Sequence, residues 1–335
     1  MPVEELLTRV TLDIIGVSLL GKELRDFRSQ SSPLSFEQCY NAILAQPVAG
    51  QIISFINPFI PLRWLPVSAN LDFIHAKIAL KTMMAELIEQ RTAEVAAAKK
   101  REGEDELADD LLTRMIEASA EENQRLSREE LIDIVMQVIA AGHETTASAL
   151  LWTVYALAKN PASQDRLRTE IQSLDIDRMS AKDIDDLPFL ENVIRETLRI
   201  YSPTLIIPWE AQKDMTIAGV NIPKATTVQI VPAMIQLNPT IWGSDAEVFR
   251  PERWEDMEGN APSPYAMETF SNGPRMCPGK ALAMLNMKVL LVGLVRHFEM
   301  ELMLGTEEVE LRNPSLTLKA KKPIVFKIKR LDGTS

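Results

Sequence analysis

One apolar stretch, residues 131–158, constrains this 335-residue chain more than any other feature. Ser127 and, three residues later, Glu130 form a capping-box pattern at its start. Asn160-Pro161 ends it, because proline lacks an amide proton and clashes with the preceding turn. A helix that is long and apolar on most faces must be covered by other elements, so it becomes the centre of the fold. The covering elements read mainly as helices. Helical spacing of apolar residues predicts them over residues 4–20, stopped by Gly21, and over 35–45, 69–100, 111–119, 188–200 and 278–298. The β-type runs are short: Thr216-Ile217, a turn at Gly219-Val220-Asn221, residues 227–231 and a closing strand over 324–328. Residues 238–264, rich in Pro, Trp and charge, read as an ordered meander, and Ser180 and Asp183 as a turn. The fold class is mainly α with small β-sheets (α+β). No Gly/Ser-rich or Pro-rich linker divides residues 1–335, which read as a single domain.

Composition removes several classes of function. A net charge of −11 and a pI near 5.0 leave no basic face for phosphate contacts, which argues against a nucleic-acid partner. Two cysteines, Cys39 and Cys277, are too few for a disulfide framework. Glu4, Glu5, Arg9 and Asp13 interrupt the apolar residues a targeting segment needs, so the opening reads as the interior of a fold. Residues 42–62 approach the length of a membrane span but are broken by Pro47, Gln51, Asn57, Pro58 and Pro61. They read as a Pro-rich connection whose Ile52, Ile53, Phe55, Ile56, Phe59 and Ile60 suit peripheral membrane contact.

Three stretches carry chemistry. The first is Phe270-Ser271-Asn272-Gly273-Pro274-Arg275-Met276-Cys277-Pro278-Gly279, immediately before the last helix. A lone cysteine is usually inert. Here Gly273 and Gly279 let backbone approach a flat ligand, Arg275 can pair with a carboxylate, and a helix N-terminus favours negative charge on sulfur. The second is Ala141-Gly142-His143-Glu144-Thr145-Thr146 inside the long helix. Its bland reading is a kink with satisfied polar groups, yet an acid beside a hydroxyl in an apolar helix also suits proton delivery. The third is Glu196-Thr197-Leu198-Arg199, with Glu196 and Arg199 one helical turn apart. Glu196 continues the apolar stripe of Phe189 and Val193, so its carboxylate needs a partner.

In order and type these stretches resemble the cytochrome P-450 family, of fungal microsomal type and N-terminally truncated. The loop matches that family's Phe-x-x-Gly-x-Arg-x-Cys-x-Gly pattern at every specified position. The resemblance implies haem b held by Cys277 as axial metal ligand, with Arg275, Phe270, Gly279 and Gly142 as cofactor contacts, and Thr145 and Glu144 as the catalytic alcohol and acid. It implies that Glu196 and Arg199 are completed by Arg253 of Pro251-Glu252-Arg253-Trp254 as a structural triad behind the cysteine loop.

The implied activity is a haem-thiolate monooxygenase inserting one oxygen atom from dioxygen into a lipophilic small molecule in secondary metabolism. Electrons would come from NADPH through a flavoprotein reductase docking near Lys280 and Lys288. The implied place is the cytosolic face of the endoplasmic reticulum. The implied fold is that of the family without its N-terminal helices and most of its main sheet, and Trp209 stands where an arginine often precedes the Glu210-Ala211 pair. Two other readings remain open: a truncated, non-catalytic fragment that cannot hold haem properly, and a Cys-His hydrolase using Cys277 with His75, His143 or His297.

Overall fold

A computed structural model describes residues 3–29, 32–44, 47–57, 60–100, 110–121, 126–174, 178–257, 263–303, 309–312, 315 and 317–331. The chain divides into two compact units, residues 9–143 and residues 1–8 with 144–335.

The first unit holds most of α1 (Val3–Leu20), then α2 (Phe36–Leu44), α3 (Val48–Ile56), α4 (Ser68–Lys100), α5 (Leu111–Glu121) and the first half of α6 (Arg128–Lys159). The long α4 buries Ala76, Leu80, Met83, Met84, Leu87 and Ile88, a stripe at helical spacing, and α2, α3 and α5 pack on it. Gly21 ends α1 as the sequence implies, with φ of 66°, a conformation few side chains tolerate. The freed Leu20 carbonyl accepts a bond of 3.1 Å from buried Arg91, whose guanidinium also pairs with Asp110. Within residues 42–62 the Pro-rich connection holds a helix, α3, that the sequence reading did not place. Pro47 opens α3, because proline's fixed φ suits a helix start. Of the apolar side chains assigned to membrane contact, Ile52 and Ile60 are exposed and Ile53 and Ile56 half-buried. Phe59 and the Phe55 side chain lie outside the described residues.

The second unit carries the rest of α6, followed by α7 (Pro161–Gln172), α8 (Ala181–Asp185) and α9 (Pro188–Ile200). Next come β1 (Ile207–Glu210), β2 (Met215–Ile217), β3 (Val220–Ile222), β4 (Thr227–Ile230), α10 (Pro232–Gln236), α11 (Pro239–Trp242) and α12 (Arg253–Asp256). The chain ends with α13 (Lys280–His297), β5 (Phe298–Leu302) and β6 (Phe326–Arg330). Its core is Leu150, Leu157, Leu167, Ile171, Leu190, Val193, Ile194, Leu291 and Val295, contributed by α6, α7, α9 and α13. Each such side chain contributes about 1.5–3 kcal/mol on burial.

Helix α6 runs unbroken through residues 141–146. The Ser127 capping box forms as read, Oγ accepting from the Glu130 amide and Oε2 accepting from the Ser127 amide. Helices α7 and α8 were not expected. The first buries only Gln164, Leu167 and Ile171 of a largely polar sequence, and the second is a five-residue capping-box helix at the Ser180–Asp183 turn. Leu187 offers α9 no side-chain cap. Instead Glu170 of α7 accepts the Phe189 and Leu190 amides at 2.8 and 2.9 Å, supplying the N-terminal acceptor from a neighbouring helix.

Among the described residues the sheets are two-stranded and antiparallel, β1 with β4, β2 with β3 and β5 with β6. Val220 pairs with Ile217, so the β2–β3 turn is Ala218-Gly219, both at positive φ, rather than Gly219-Val220-Asn221. The partner of β4 is β1, which Pro208 hides from a strand pattern.

Candidate functional site

Helix α9 places Glu196 and Arg199 on its buried face, in line with Phe189 and Val193. Both side chains are fully buried, and Arg253 is 1% exposed. The Glu196 carboxylate accepts two bonds from Arg199, Nε at 2.9 and Nη2 at 2.8 Å, the parallel geometry a guanidinium makes with a carboxylate. It also accepts from Arg253 Nε at 3.2, Trp254 Nε1 at 3.1 and the Arg250 amide at 3.1 Å. The remaining guanidinium protons reach backbone: Arg199 Nη1 bonds the Gln236 carbonyl at 2.8 Å and the Ala246 carbonyl, and Arg253 bonds those of Trp242 and Asp245. Asp245 accepts Arg253 Nη1 at 2.8 Å. That hydrogen bond outweighs burial and, with the charges of Arg253 and Arg250, holds the Asp245 carboxyl down at about 2. Glu196 and Asp245 thus balance Arg199 and Arg253, and the three residues paired by sequence are brought together.

The network reaches the cysteine loop through Gln236. This fully buried amide donates to the carbonyls of Leu198 and Arg199 at 3.0 and 2.9 Å, two acceptors left free at the end of α9. Its oxygen accepts from the Glu268 amide at 2.8 and Thr269 Oγ1 at 3.1 Å. The single Thr269 hydroxyl proton is shared with the Leu198 carbonyl, 3.0 Å away. One side chain therefore fixes the loop entrance to the helix that carries Glu196.

The loop closes on itself. The Cys277 amide donates to the Phe270 carbonyl at 2.8 Å, and Asn272 Nδ2 donates to the Met267 carbonyl at 3.0 Å and to Glu268 at 2.9 Å. Ser271 and Gly273 take positive φ, 57° and 73°, to make the tight turn. A β-carbon on Gly273 would meet nothing within 4 Å, so the face above that turn is open. Cys277 is a half-buried free thiol, Gly279 caps α13, and Arg275 is exposed at the tip. Lys280 is exposed with its ammonium over the Phe270 ring at 5.8 Å. Lys288, read from sequence as a second docking cation, is buried and pairs with Asp185 at 2.7 and Glu191 at 3.0 Å. Burial lowers its pKa, but the two carboxylates outweigh burial and leave it raised. It is an internal cation and presents no charge to a partner.

Glu144 and Thr145 lie half-buried on α6. Glu144 is joined to the C-terminal segment, Lys319 Nζ donating to Oε1 at 2.6 Å. Gly142 has a packing reason: a β-carbon there would come within 2.8 Å of the Ile15 side chain. His143 is buried, its Nδ1 within 3.0 Å of the Ile139 carbonyl. His297 ends α13 while Cys277 precedes its start, so the helix separates them by roughly 25 Å at 1.5 Å per residue and they form no catalytic pair. Cys39 is buried, which pushes its thiol pKa up and makes it a core residue.

Gln236, Asp245, Trp254, Thr269 and Lys319 were not singled out from sequence. Trp254 alone had a local signal, sitting beside Arg253 in the Pro-Glu-Arg-Trp stretch.

A protein-family model for cytochrome P-450 matches residues 1–328. The chain is 32% identical to cytochrome P-450 monooxygenase 205 of Postia placenta over 330 residues, covering 90% of this chain and 61% of the relative. It is 33% identical to cytochrome P-450 monooxygenase sphH of Aspergillus fumigatus over 345 residues, covering 97% and 61%. A human protein, cytochrome P-450 4F11, is 35% identical over 231 residues, covering 68% and 43%. The chain spans about three-fifths of the length of the fungal relatives it matches.

Proposed function

The chain belongs to the cytochrome P-450 family, and from that premise we propose that it is a haem-thiolate monooxygenase, inserting one atom of dioxygen into a lipophilic small molecule. The observation that carries this reading is the closed Phe270–Gly279 loop, which presents a free, half-buried thiol and is fixed through Gln236 to the buried Glu196 network.

The donor set fits haem. Among the described residues no three His, Cys, Asp or Glu side chains converge as a protein-built metal centre requires. A single soft thiolate suits an iron whose other in-plane ligands belong to a porphyrin. When bound, haem supplies dioxygen binding and cleavage, which an axial thiolate favours by donating electron density. In this reading Cys277 is the metal ligand and Arg275, exposed beside it, offers a guanidinium to a haem carboxylate. Phe270 and Gly279 border the thiol, whereas Gly142 is closed off by the Ile15 side chain and its smallness serves packing. Thr145 and Glu144 adjoin on that helix and move a proton, the hydroxyl passing it inward and the carboxylate replenishing it. Glu196, Arg199 and Arg253 act structurally, holding the loop that carries the ligand.

We further propose that residues 1–335 form one domain of this family. Its electrons come from NADPH through a flavoprotein reductase, with Lys280 rather than Lys288 facing that partner. The resemblance to fungal microsomal members favours secondary metabolism and the cytosolic face of the endoplasmic reticulum. No helix among the described residues is long and apolar enough to cross a membrane. Exposed Ile52, Ile60 and Trp64 offer a surface for peripheral contact instead.

The test is the difference spectrum of the purified chain after addition of haemin, reduction and CO. A Soret band at the far-red position of thiolate ligation, lost in Cys277→Ser, is the expected result. Haem uptake without that band, or a band that survives the substitution, rejects the assignment. No haem uptake at all selects the second reading, a non-catalytic chain that keeps the motifs.

A further inference from the structure

Three polar side chains stand four residues apart along α6: Glu144, Ser148 and Trp152. At that spacing they share one face of the helix. All three bind the same two residues of the C-terminal segment. Ser148 Oγ and Trp152 Nε1 donate to the Leu318 carbonyl at 2.8 and 2.9 Å, and Lys319 donates to Glu144 at 2.6 Å. The segment is held from its other side as well. The Leu318 amide donates to the Pro203 carbonyl at 3.0 Å, Thr317 bridges Thr204, and the Arg312 amide donates to the Lys319 carbonyl at 2.8 Å.

We propose that Lys319 is a positioning residue for the Glu144 carboxylate, an inference that rests on the proton role proposed above for Glu144. The Leu318 carbonyl is the fixed point. Ser148 and Trp152 are buried, so shifting the segment would leave two donors without acceptors inside the core. Lys319 therefore leaves a backbone bonded on both sides, and its ammonium reaches Glu144 from that anchor. A Glu side chain has three rotatable bonds, and without a partner this one would sample several rotamers on the helix surface. With Lys319 in place one rotamer is selected, and the carboxylate, 12% exposed on its side chain, is held in the one position from which it serves Thr145. The Lys319 side chain is 28% exposed, so the pair sits where the core meets solvent. An ammonium has three protons and Glu144 engages one, which leaves Lys319 able to order water on the solvent side of the acid. Lys319 touches no reacting group and acts only through Glu144.

That dependence is testable with the haem-loaded chain, a reductase and any oxidised substrate, comparing Lys319→Met, Lys319→Arg, Glu144→Gln and Lys319→Met/Glu144→Gln. The first readout is product formed per NADPH. The second needs no turnover: the urea midpoints of the same four chains, which report whether the pair is coupled. Lys319→Met is expected to lower product per NADPH about fivefold, the ratio that a coupling of ~1 kcal/mol represents, with hydrogen peroxide accounting for the lost electrons. Lys319→Arg should recover most of it, and Lys319→Met should change nothing further in the Glu144→Gln background. A Lys319→Met chain that is less stable, with non-additive midpoints, but retains parental product per NADPH while Glu144→Gln loses it, overturns the positioning role and leaves a structural pair. An equal loss from Lys319→Met with and without Glu144 also overturns it. Parental product per NADPH in Glu144→Gln rejects the proton role itself, and the Lys319 role with it.

Discussion

Replacing Glu196 with glutamine changes one atom and almost no volume, so it isolates the electrostatics of the buried network. The carboxylate accepts at both oxygens: Arg199 Nε and Trp254 Nε1 at Oε2, and Arg199 Nη2, Arg253 Nε and the Arg250 amide at Oε1. An amide nitrogen placed at Oε2 faces two donors, and placed at Oε1 it faces three. Either orientation sets donor against donor, each buried loss costing about 1–3 kcal/mol. The substitution also leaves two buried guanidiniums balanced only by Asp245. Breaking a buried pair from one side typically costs about 3–5 kcal/mol, and we expect Glu196→Gln to fall in that range, a large part of the ~5–15 kcal/mol that holds a protein folded. The assay is urea unfolding followed by tryptophan fluorescence, since Trp254 bonds Glu196 and Trp242 lies against Trp254 at 5.5 Å. Urea is uncharged and does not screen the network. Lys329→Ala is the control, because its 3.3 Å pair with Glu299 is exposed on both sides. A Glu196→Gln loss below about 1 kcal/mol, the size of an exposed pair, would refute the reasoning.

Thr145→Ala is expected to divert electrons from product to hydrogen peroxide while leaving the CO difference spectrum intact. Equal product per NADPH in mutant and parent would remove Thr145 from the proton path. The low pKa of Asp245 predicts a pH signature: a carboxyl depressed to about 2 in the fold stabilises it above its unfolded value near ~4, and the contribution is lost as pH falls through about 2. The stability gap between parent and Asp245→Asn should therefore be full at neutral pH and close in strong acid, and a gap constant from pH 7 to 2 would contradict it. Liposome flotation should recover the parent more than an Ile52→Asp, Ile60→Asp, Trp64→Asp variant, since Trp64 is 73% exposed. Equal recovery rejects that surface.

How much was legible depended on how local the signal was. The cysteine loop could be read because its backbone and side-chain requirements fall within ten consecutive residues, and α9 because Pro188 and the Phe189, Val193, Glu196 stripe mark it. Arg253 was found through the family's motif. Gln236 and Lys319 were not, for a physical reason. Each acts on a group far along the chain, 37 residues from Arg199 and 175 from Glu144, and neither has a neighbour whose type announces the contact. Helix α7 was missed because it packs against α9 and α13 through few apolar side chains, so its polar sequence carries little helical stripe. Lys288 was misread because a cation on a helix looks solvated until its partners, Asp185 and Glu191, are seen to close over it.

The acceptor that Glu170 supplies to the first turn of α9 has a bearing on how the protein is made. Glu170 precedes the amides it caps by 19 and 20 residues, so α7 and the start of α9 can dock as soon as both have left the ribosome. The groups that then close around Glu196 and Arg199 emerge in turn, Gln236, Asp245, Ala246, Arg250, Arg253 and finally Trp254. All precede Cys277. With synthesis proceeding from the N-terminus at ~5–20 residues per second, the frame of the cysteine loop leaves the ribosome about a second or more ahead of the thiol.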